Sequence, residues 1–204
     1  VLVIGAGPAG LMAADVLSSA GYVVHVFEAK ASIGRKFLMA GKSGLNITKS
    51  EADDIFLDRY GRLDLCFEKA IAGFLPRDVM AWCADLNIET FIGSSGRVFP
   101  KAMKASPLLR AWMMRLGAAG VVFHTRHRWT GFLGSDLCFD TPQGRRIIGP
   151  RACVFAMGGA SWSRLGSDAM WQPALQQAGV DVAPFLPSNC GFDCAWDEHF
   201  IAHY

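Results

Sequence analysis

An α/β fold built on a parallel sheet is predicted, and three observations carry the prediction. The chain opens on a continuous apolar run, Val1 to Ile4, as a central strand buried on both faces does. That run passes through a glycine turn and a helix into a second strand, so the first 28 residues read as a βαβ unit. Far down the chain a second buried run, Ala152 to Ala156, ends on Met157-Gly158-Gly159. Composition agrees with this. Of 204 residues, 51% are hydrophobic and 19% charged, which excludes disorder and leaves material for a large core.

The elements follow in order. Gly5-Ala-Gly7-Pro-Ala-Gly10 is the first turn, and Leu11 to Ala20 reads as a helix closed by Gly21. Val23 to Phe27 is the second strand, with Glu28 at its end. Lys30 to Lys49 has little periodicity and reads as a loop with a short helix; loops of that length are functional or disordered, and its apolar content argues against disorder. Residues 51–60 and 65–85 are expected to be helical, with Pro76 where one helix ends and another begins. Ile88 to Ile92 and Arg97 to Pro100 flank a Gly93-Ser-Ser-Gly96 turn. Ser106-Pro107 is expected to open a helix as N-cap and first turn, running to Gly120.

A β-meander is expected over 121–148. In it, Val121 to Thr125 is continued or paired by Arg128 to Phe132, and a hairpin joins Leu137 to Asp140 with Arg145 to Ile148. After the strand at Ala152 to Ala156, a helix is expected from about Asp168 to Ala178, closed by Gly179. Pro184 and Pro187 mark a domain boundary, giving 1–187 and 188–204.

Several function classes drop out. The net charge of +2 is too mild for nucleic acid or an anionic membrane. Gly5, Gly7, Pro8, Gly10 and Asp15 interrupt the first apolar stretch, and no basic segment precedes it, so neither a membrane span nor a signal peptide is expected. The six cysteines (66, 83, 138, 153, 190, 194) read as reduced, mostly buried thiols of a cytoplasmic protein. Cys190 and Cys194 are the only close pair; with no second pair at zinc spacing, no metal site is expected. The start inside a strand, without Met, and the abrupt end lead to the expectation that residues are missing at both ends.

The Gly5-x-Gly7-x-x-Gly10 spacing is weak alone, but here a strand precedes it, a helix follows, and an acid ends the next strand. Such a Rossmann-like arrangement uses the first glycine for a tight turn, the second for close approach of a diphosphate, and the third for helix–strand packing. The free N–H groups and dipole of the helix start face the anion. Glu28 is placed to accept from both ribose hydroxyls and would repel a 2′-phosphate. NAD or FAD stays open on the motif alone. The long 30–49 segment, the meander and the later Gly-Gly strand tip the reading towards FAD. A short-chain dehydrogenase needs Tyr-x-x-x-Lys, and Tyr22, Tyr60 and Tyr204 offer none.

The pattern from Gly5 through Ala14 and Gly21 to Glu28 resembles the FAD fingerprint of the glutathione-reductase-like superfamily. More narrowly, GRKFLMAGKSGLNIT (34–48), GRVFPKAMKASPLL (96–109) and VFAMGGASWSRLGSDAMWQPALQQAGV (154–180) resemble the HI0933-like flavoprotein family of NAD(P)/FAD-dependent oxidoreductases. The likeness covers nearly the whole chain in the family's order. The family's first loop reads Gly-Gly-Gly-Arg-Cys-Asn-x-Thr-Asn. Asn46 and Thr48 match it, whereas Gly44 and Leu45 stand at the Arg and Cys positions.

The resemblance implies a Rossmann-like FAD-binding domain, incomplete here, with 188–204 as the start of a truncated substrate domain. Gly5, Gly7, Ala9 and Gly10 would line the diphosphate, and Glu28 would hold the adenosine ribose. Arg35 and Lys36 would supply cations near the phosphates or ribose. Gly41 to Asn46 would run beside the flavin, Trp129 would offer its backbone to the adenine, and Gly158 and Gly159 would pass close to the cofactor. The activity implied is hydride transfer to or from a small organic substrate, with NAD(P)H as a reductant. No catalytic residue is nominated. Flavin retention by this chain is expected to be poor.

Plainer readings stand beside these. Lys42 reads equally as a solvated loop lysine, and the Trp129 side chain as a core aromatic. Trp112, Met113 and Met114 read as core at helical spacing, and Arg126, Arg128, Arg145, Arg146 and Arg151 as a solvated sheet face. His25 reads as structural; His124, His127, His199 and His203 have no acid or thiol at catalytic spacing, and Ser161 lies outside a Gly-x-Ser-x-Gly elbow. The competing functions are a flavin-binding tRNA-modifying protein, which the charge disfavours, an inactive truncated nucleotide-binding fragment, and an NAD-only dehydrogenase.

Overall fold

Four parallel strands form the centre of the structure, a computed structural model that describes residues 1–41, 44–61, 64–186, 194–196 and 202. β1 (Leu2–Ile4) leads through the glycine turn into α1 (Pro8–Ser19) and back to β2 (His25–Glu28). α1 starts earlier than the apolar pattern indicates, because Pro8 at the first helical position loses no intrahelical bond. Gly21, at φ +83°, closes it.

α2 (Arg35–Ala40), β3 (Thr48–Lys49), α3 (Asp53–Asp58), α4 (Leu65–Ala72), α5 (Pro76–Asp85), β4 (Thr90–Ile92) and β5 (Arg97–Pro100) follow. β3, β5 and β4 make a small antiparallel sheet. α6 (Ala105–Ala118) comes next, then β6 (Val122–Thr125), β7 (Arg128–Leu133), β8 (Asp136–Thr141), β9 (Gly144–Ile148), β10 (Cys153–Phe155) and α7 (Gln172–Gln177).

The central sheet runs β10-β1-β2-β6 and is sandwiched. On one face α1 and α6 bury Val3, Val26, Leu11, Leu108, Trp112 and Leu116. Leu108, Trp112 and Leu116 recur every four residues, which makes one stripe of α6 the core face. Met114 lies off that stripe and is exposed, so the core reading holds for Trp112 and not for Met114. On the other face the β7-β8-β9 meander and α7 cover Leu2, Ile4 and Phe27 with Trp129, Leu137 and Phe139.

Three expectations are corrected. β6 is not part of the meander. It is the parallel edge strand beside β2, because the chain turns at Arg126 (φ +58°) and leaves the sheet at His127. α6 begins at Ala105 with Lys104 as its N-cap, so Ser106 and Pro107 lie inside the first turn, where the missing proline N–H costs nothing. The helix expected from Asp168 begins only at Gln172. Ala169 takes φ +55°, and Pro173 is tolerated only in a first turn.

Asp15 explains how a charge sits inside an apolar helix. Only 8% exposed, its Oδ2 accepts from the indole N–H of Trp112 at 2.8 Å and of Trp82 at 3.3 Å, and from Arg115. One carboxylate thereby ties α1 to α5 and α6.

On the meander side, His25 Nδ1 and His124 Nε2 are 3.1 Å apart, and His124 stacks on Phe27 at 4.5 Å. Burial first, then His25, His127 and Arg146, push the His124 pKa below its usual value. A lowered folded-state value means that the unfolded chain binds more protons, so stability is lost as pH falls below the ordinary histidine range of about 6.5. Thermal melts at pH 5.5 and pH 7.5 are expected to show the lower midpoint at the acid value. His124→Phe is expected to narrow that difference.

The thiols of buried Cys83 and partly buried Cys153 are pushed up to about 11 by burial, which leaves them protonated. Cys66 and Cys194 are exposed, so among the described residues the expectation of mostly buried thiols holds only for Cys83 and Cys138. Cys190, Pro187, His199, His203 and nearly all of 188–204 lie outside the described residues.

Candidate functional site

β2 and β10 flank β1 on opposite sides, so the crevice beyond the carboxyl ends of the strands opens at the Gly5–Gly10 turn. In open α/β sheets this is where a ligand sits. The three glycines differ in what surrounds them. Gly5, at φ +102°, has the carbonyl of Ala156 so near that a Cβ would lie 2.9 Å from its carbon. At Gly10 a Cβ would come within 3.0 Å of the Gly5 carbonyl. At Gly7 nothing lies within 4 Å of that position. The turn is closed on both sides and open in the middle.

Gly7 caps α1 with extended backbone and no side-chain bond, and Leu11 N is the first to reach back to Gly7 O. The N–H groups of Ala9 and Gly10 precede that first helical bond and have no partner within the helix.

Glu28 points into the same turn. Its Oε2 accepts from Ala6 N at 2.9 Å and its Oε1 from Lys30 N at 2.8 Å. Two oxygens taking one bond each leave lone pairs over. Ala6 O in turn accepts from Gly34 N at 3.0 Å, which draws the start of α2 over the turn. Arg35 is exposed, donates to Ser32 Oγ at 3.3 Å, and lines a shallow hollow with Leu38, Met39 and Leu165. Lys36 reaches across to the segment after β10, donating to Ser161 Oγ at 2.5 Å and Ser167 Oγ at 3.3 Å.

Gly158 and Gly159 stand on that segment, held by Trp171 Nε1 donating to Gly158 O and Ser167 Oγ to Gly159 O, both at 2.9 Å. Gly5, Gly7, Ala9, Gly10, Glu28, Lys36, Gly158 and Gly159 therefore gather at one end of the sheet. Gly41 is small for a packing reason, since a Cβ there would collide with Ala105 of α6. Asn46 is exposed, and Lys42 and Ser43 lie outside the described residues.

Trp129 sits in the core with its ring 5.1 Å from Phe155, and its buried indole N–H has no partner among the described residues. Sequence reasoning passed over Ser167 and discarded Ser161. The signal was the serines at 161, 163 and 167, which follow close after Gly158-Gly159. Among the described residues no group of three or more His, Cys, Asp or Glu is placed to hold a metal, and no helix is long and apolar enough to cross a membrane.

Comparison with known proteins agrees with this fold. A family model described as the HI0933-like protein Rossmann domain matches residues 1–191. The 3-ketosteroid-delta4-(5alpha)-dehydrogenase from Rhodococcus jostii RHA1, solved with 4-androstene-3,17-dione, is similar at 15% identity and TM-score 0.65, over 88% of this chain and 53% of that one. A flavocytochrome c3 fumarate reductase in its open conformation is similar at 17% identity and TM-score 0.57, over 78% and 33%. Thermovibrio ammonificans THI4 is similar at 19% identity and TM-score 0.54, over 88% and 62%. These likenesses show a shared fold, and the chain spans less than two-thirds of each of those proteins.

Proposed function

The chain belongs to the HI0933-like family, and from that premise we propose that it is the FAD-binding part of a flavin-dependent oxidoreductase acting on a small organic molecule. The observation that carries the reading is the open space over Gly7 in a turn closed at Gly5 and Gly10. Surface turns at Gly21 and Gly144 are just as open, so it is the place of this opening that suits a diphosphate: at the start of α1, between the closed positions Gly5 and Gly10 and beside Glu28. FAD, when bound, supplies hydride chemistry.

The residues divide the remaining work. The turn at Gly5, Gly7, Ala9 and Gly10 presents N–H groups to the diphosphate, and the dipole of α1 adds positive potential there. Glu28 accepts from the ribose hydroxyls with its spare lone pairs. Arg35 and Lys36 add positive charge to the mouth. Gly41, Asn46, Gly158 and Gly159 are assigned to the wall near the ring, and the backbone of Trp129 to the adenine.

NAD(P)H as external reductant, a cytoplasmic setting, and division at 187/188 into this domain and the start of a substrate domain belong to the same proposal. By their names, two of the fold neighbours act on a ketosteroid and on fumarate, each of which carries a carbonyl. A double bond conjugated to a carbonyl is the substrate feature proposed here.

Glu28→Gln tests the ribose assignment. The amide loses the charge and one acceptor, so ADP affinity measured by calorimetry is expected to fall about 10–100-fold. Affinity for adenosine 2′,5′-bisphosphate is expected to fall less, because the repulsion of its 2′-phosphate is relieved. An unchanged ratio of the two affinities would remove Glu28 from the ribose.

A further inference from the structure

Lys36 is a partly buried cation with no acidic partner among the described residues. It takes part in none of the ion pairs among the described residues, and Asp168, the acid next to Ser167, is paired with Arg128 at 3.4 Å. Its ammonium is directed instead at two neutral hydroxyls, Ser161 and Ser167.

The three side chains have distinct parts. Ser167 is 5% exposed and gives its own hydrogen to Gly159 O, so its oxygen is a fixed acceptor that holds Lys36 in place. Ser161 is exposed, and its oxygen accepts from Lys36, so its hydrogen is free to be donated outward. The ammonium keeps a third hydrogen. A charged donor and a neutral donor thus meet at one point, with no carboxylate among the described residues to satisfy them. The stem of Lys30 lies against Gly166, bringing a second cation to the same segment.

We propose that Lys36, Ser161 and Ser167 form an oxyanion pocket at the β10 side of the mouth, which takes a phosphoryl or carboxylate group. That group comes from the diphosphate of the cofactor or from an acidic substrate. Only the first source rests on the flavin reading. The pocket itself rests on its own donors.

The test titrates the chain with inorganic phosphate, and separately with ADP, in the wild type, Lys36→Met and Ser161→Ala. Charge-assisted bonds of this kind are worth about 10–100-fold in affinity. Both variants are expected to weaken phosphate binding by about tenfold or more while their circular dichroism stays unchanged. Parallel weakening of ADP assigns the pocket to the diphosphate, and unchanged ADP affinity assigns it to a substrate-borne anion. Phosphate binding that depends on Lys36 in a chain that binds no ADP keeps the pocket and defeats the flavin reading. Phosphate affinity equal in all three proteins, or absent from the wild type, overturns the pocket. Ser161→Ala alters only an exposed hydroxyl, so it decides the matter should Lys36→Met fold poorly.

Discussion

Gly10→Ala is expected to lower stability by at least about 2 kcal/mol, the scale of an overpacked core position. Two effects oppose each other at this site. Alanine favours a helix over glycine by about 0.5–1 kcal/mol, and Gly10 lies in the first turn of α1. Against that, the new Cβ would fall within 3.0 Å of the Gly5 carbonyl, a backbone atom with no rotamer to change. Gly5 cannot yield either, because its own backbone is lodged against Ala156 at the end of β10. The clash wins, and the turn must open away from β1. Chemical denaturation measures the loss directly. A Gly10→Ala protein as stable as the wild type would mean that helix and strand are not packed as closely as described.

Asp15→Ala is expected to cost about 2–3 kcal/mol, the range for losing hydrogen bonds to a buried charged group whose cationic partner is partly exposed. The carboxylate holds Trp82, Trp112 and Arg115 together, and Arg115 Nε is already buried without a partner among the described residues. Deleting the acid leaves the guanidinium beside two indoles with nothing to neutralise it. For a chain of this size the melting temperature is expected to drop by on the order of 10 °C. Asp15→Asn keeps one acceptor but turns an amide towards Arg115, and it is expected to fall between the two. A double variant, Asp15→Ala with Arg115→Met, is expected to recover part of the loss. Equal instability of the single and double variants would show that the charge pair is not the cause.

How much of this was legible in the residues depends on distance along the chain. The βαβ unit was readable because its turn, helix and second strand are all local, and Gly10 approaches Gly5 within the same turn. Glu28 was readable as an acid at the end of β2, although its bonds to Ala6 and Lys30 were not. The misplaced elements share a cause. Strand β6 was assigned to the meander, and the helix after β10 was started too early. Both breaks occur at a non-glycine residue with positive φ, Arg126 at +58° and Ala169 at +55°. Tertiary contacts set those conformations. Arg126 N is held by Lys30 O and His127 N by Glu28 O, so β2 decides where β6 ends. Asp15 was visible only as an interruption of an apolar stretch. Its partners lie 67 to 100 residues away, and no pattern in one sequence joins them. The same holds for Lys36 and the serines after β10, which meet across 125 and 131 residues.

The central claim is that the opening over Gly7 receives a diphosphate. ADP titration of the wild type beside Gly7→Val tests it most directly, because Gly7 has extended backbone and nothing within 4 Å of a Cβ. A larger side chain there meets no clash and is a poorer N-cap, so the melting temperature is expected to fall by only a few degrees, about 1 kcal/mol. The account predicts that ADP binds the wild type and that Gly7→Val loses that affinity while remaining folded. ADP binding of equal strength in both proteins, or none in the wild type, would contradict it.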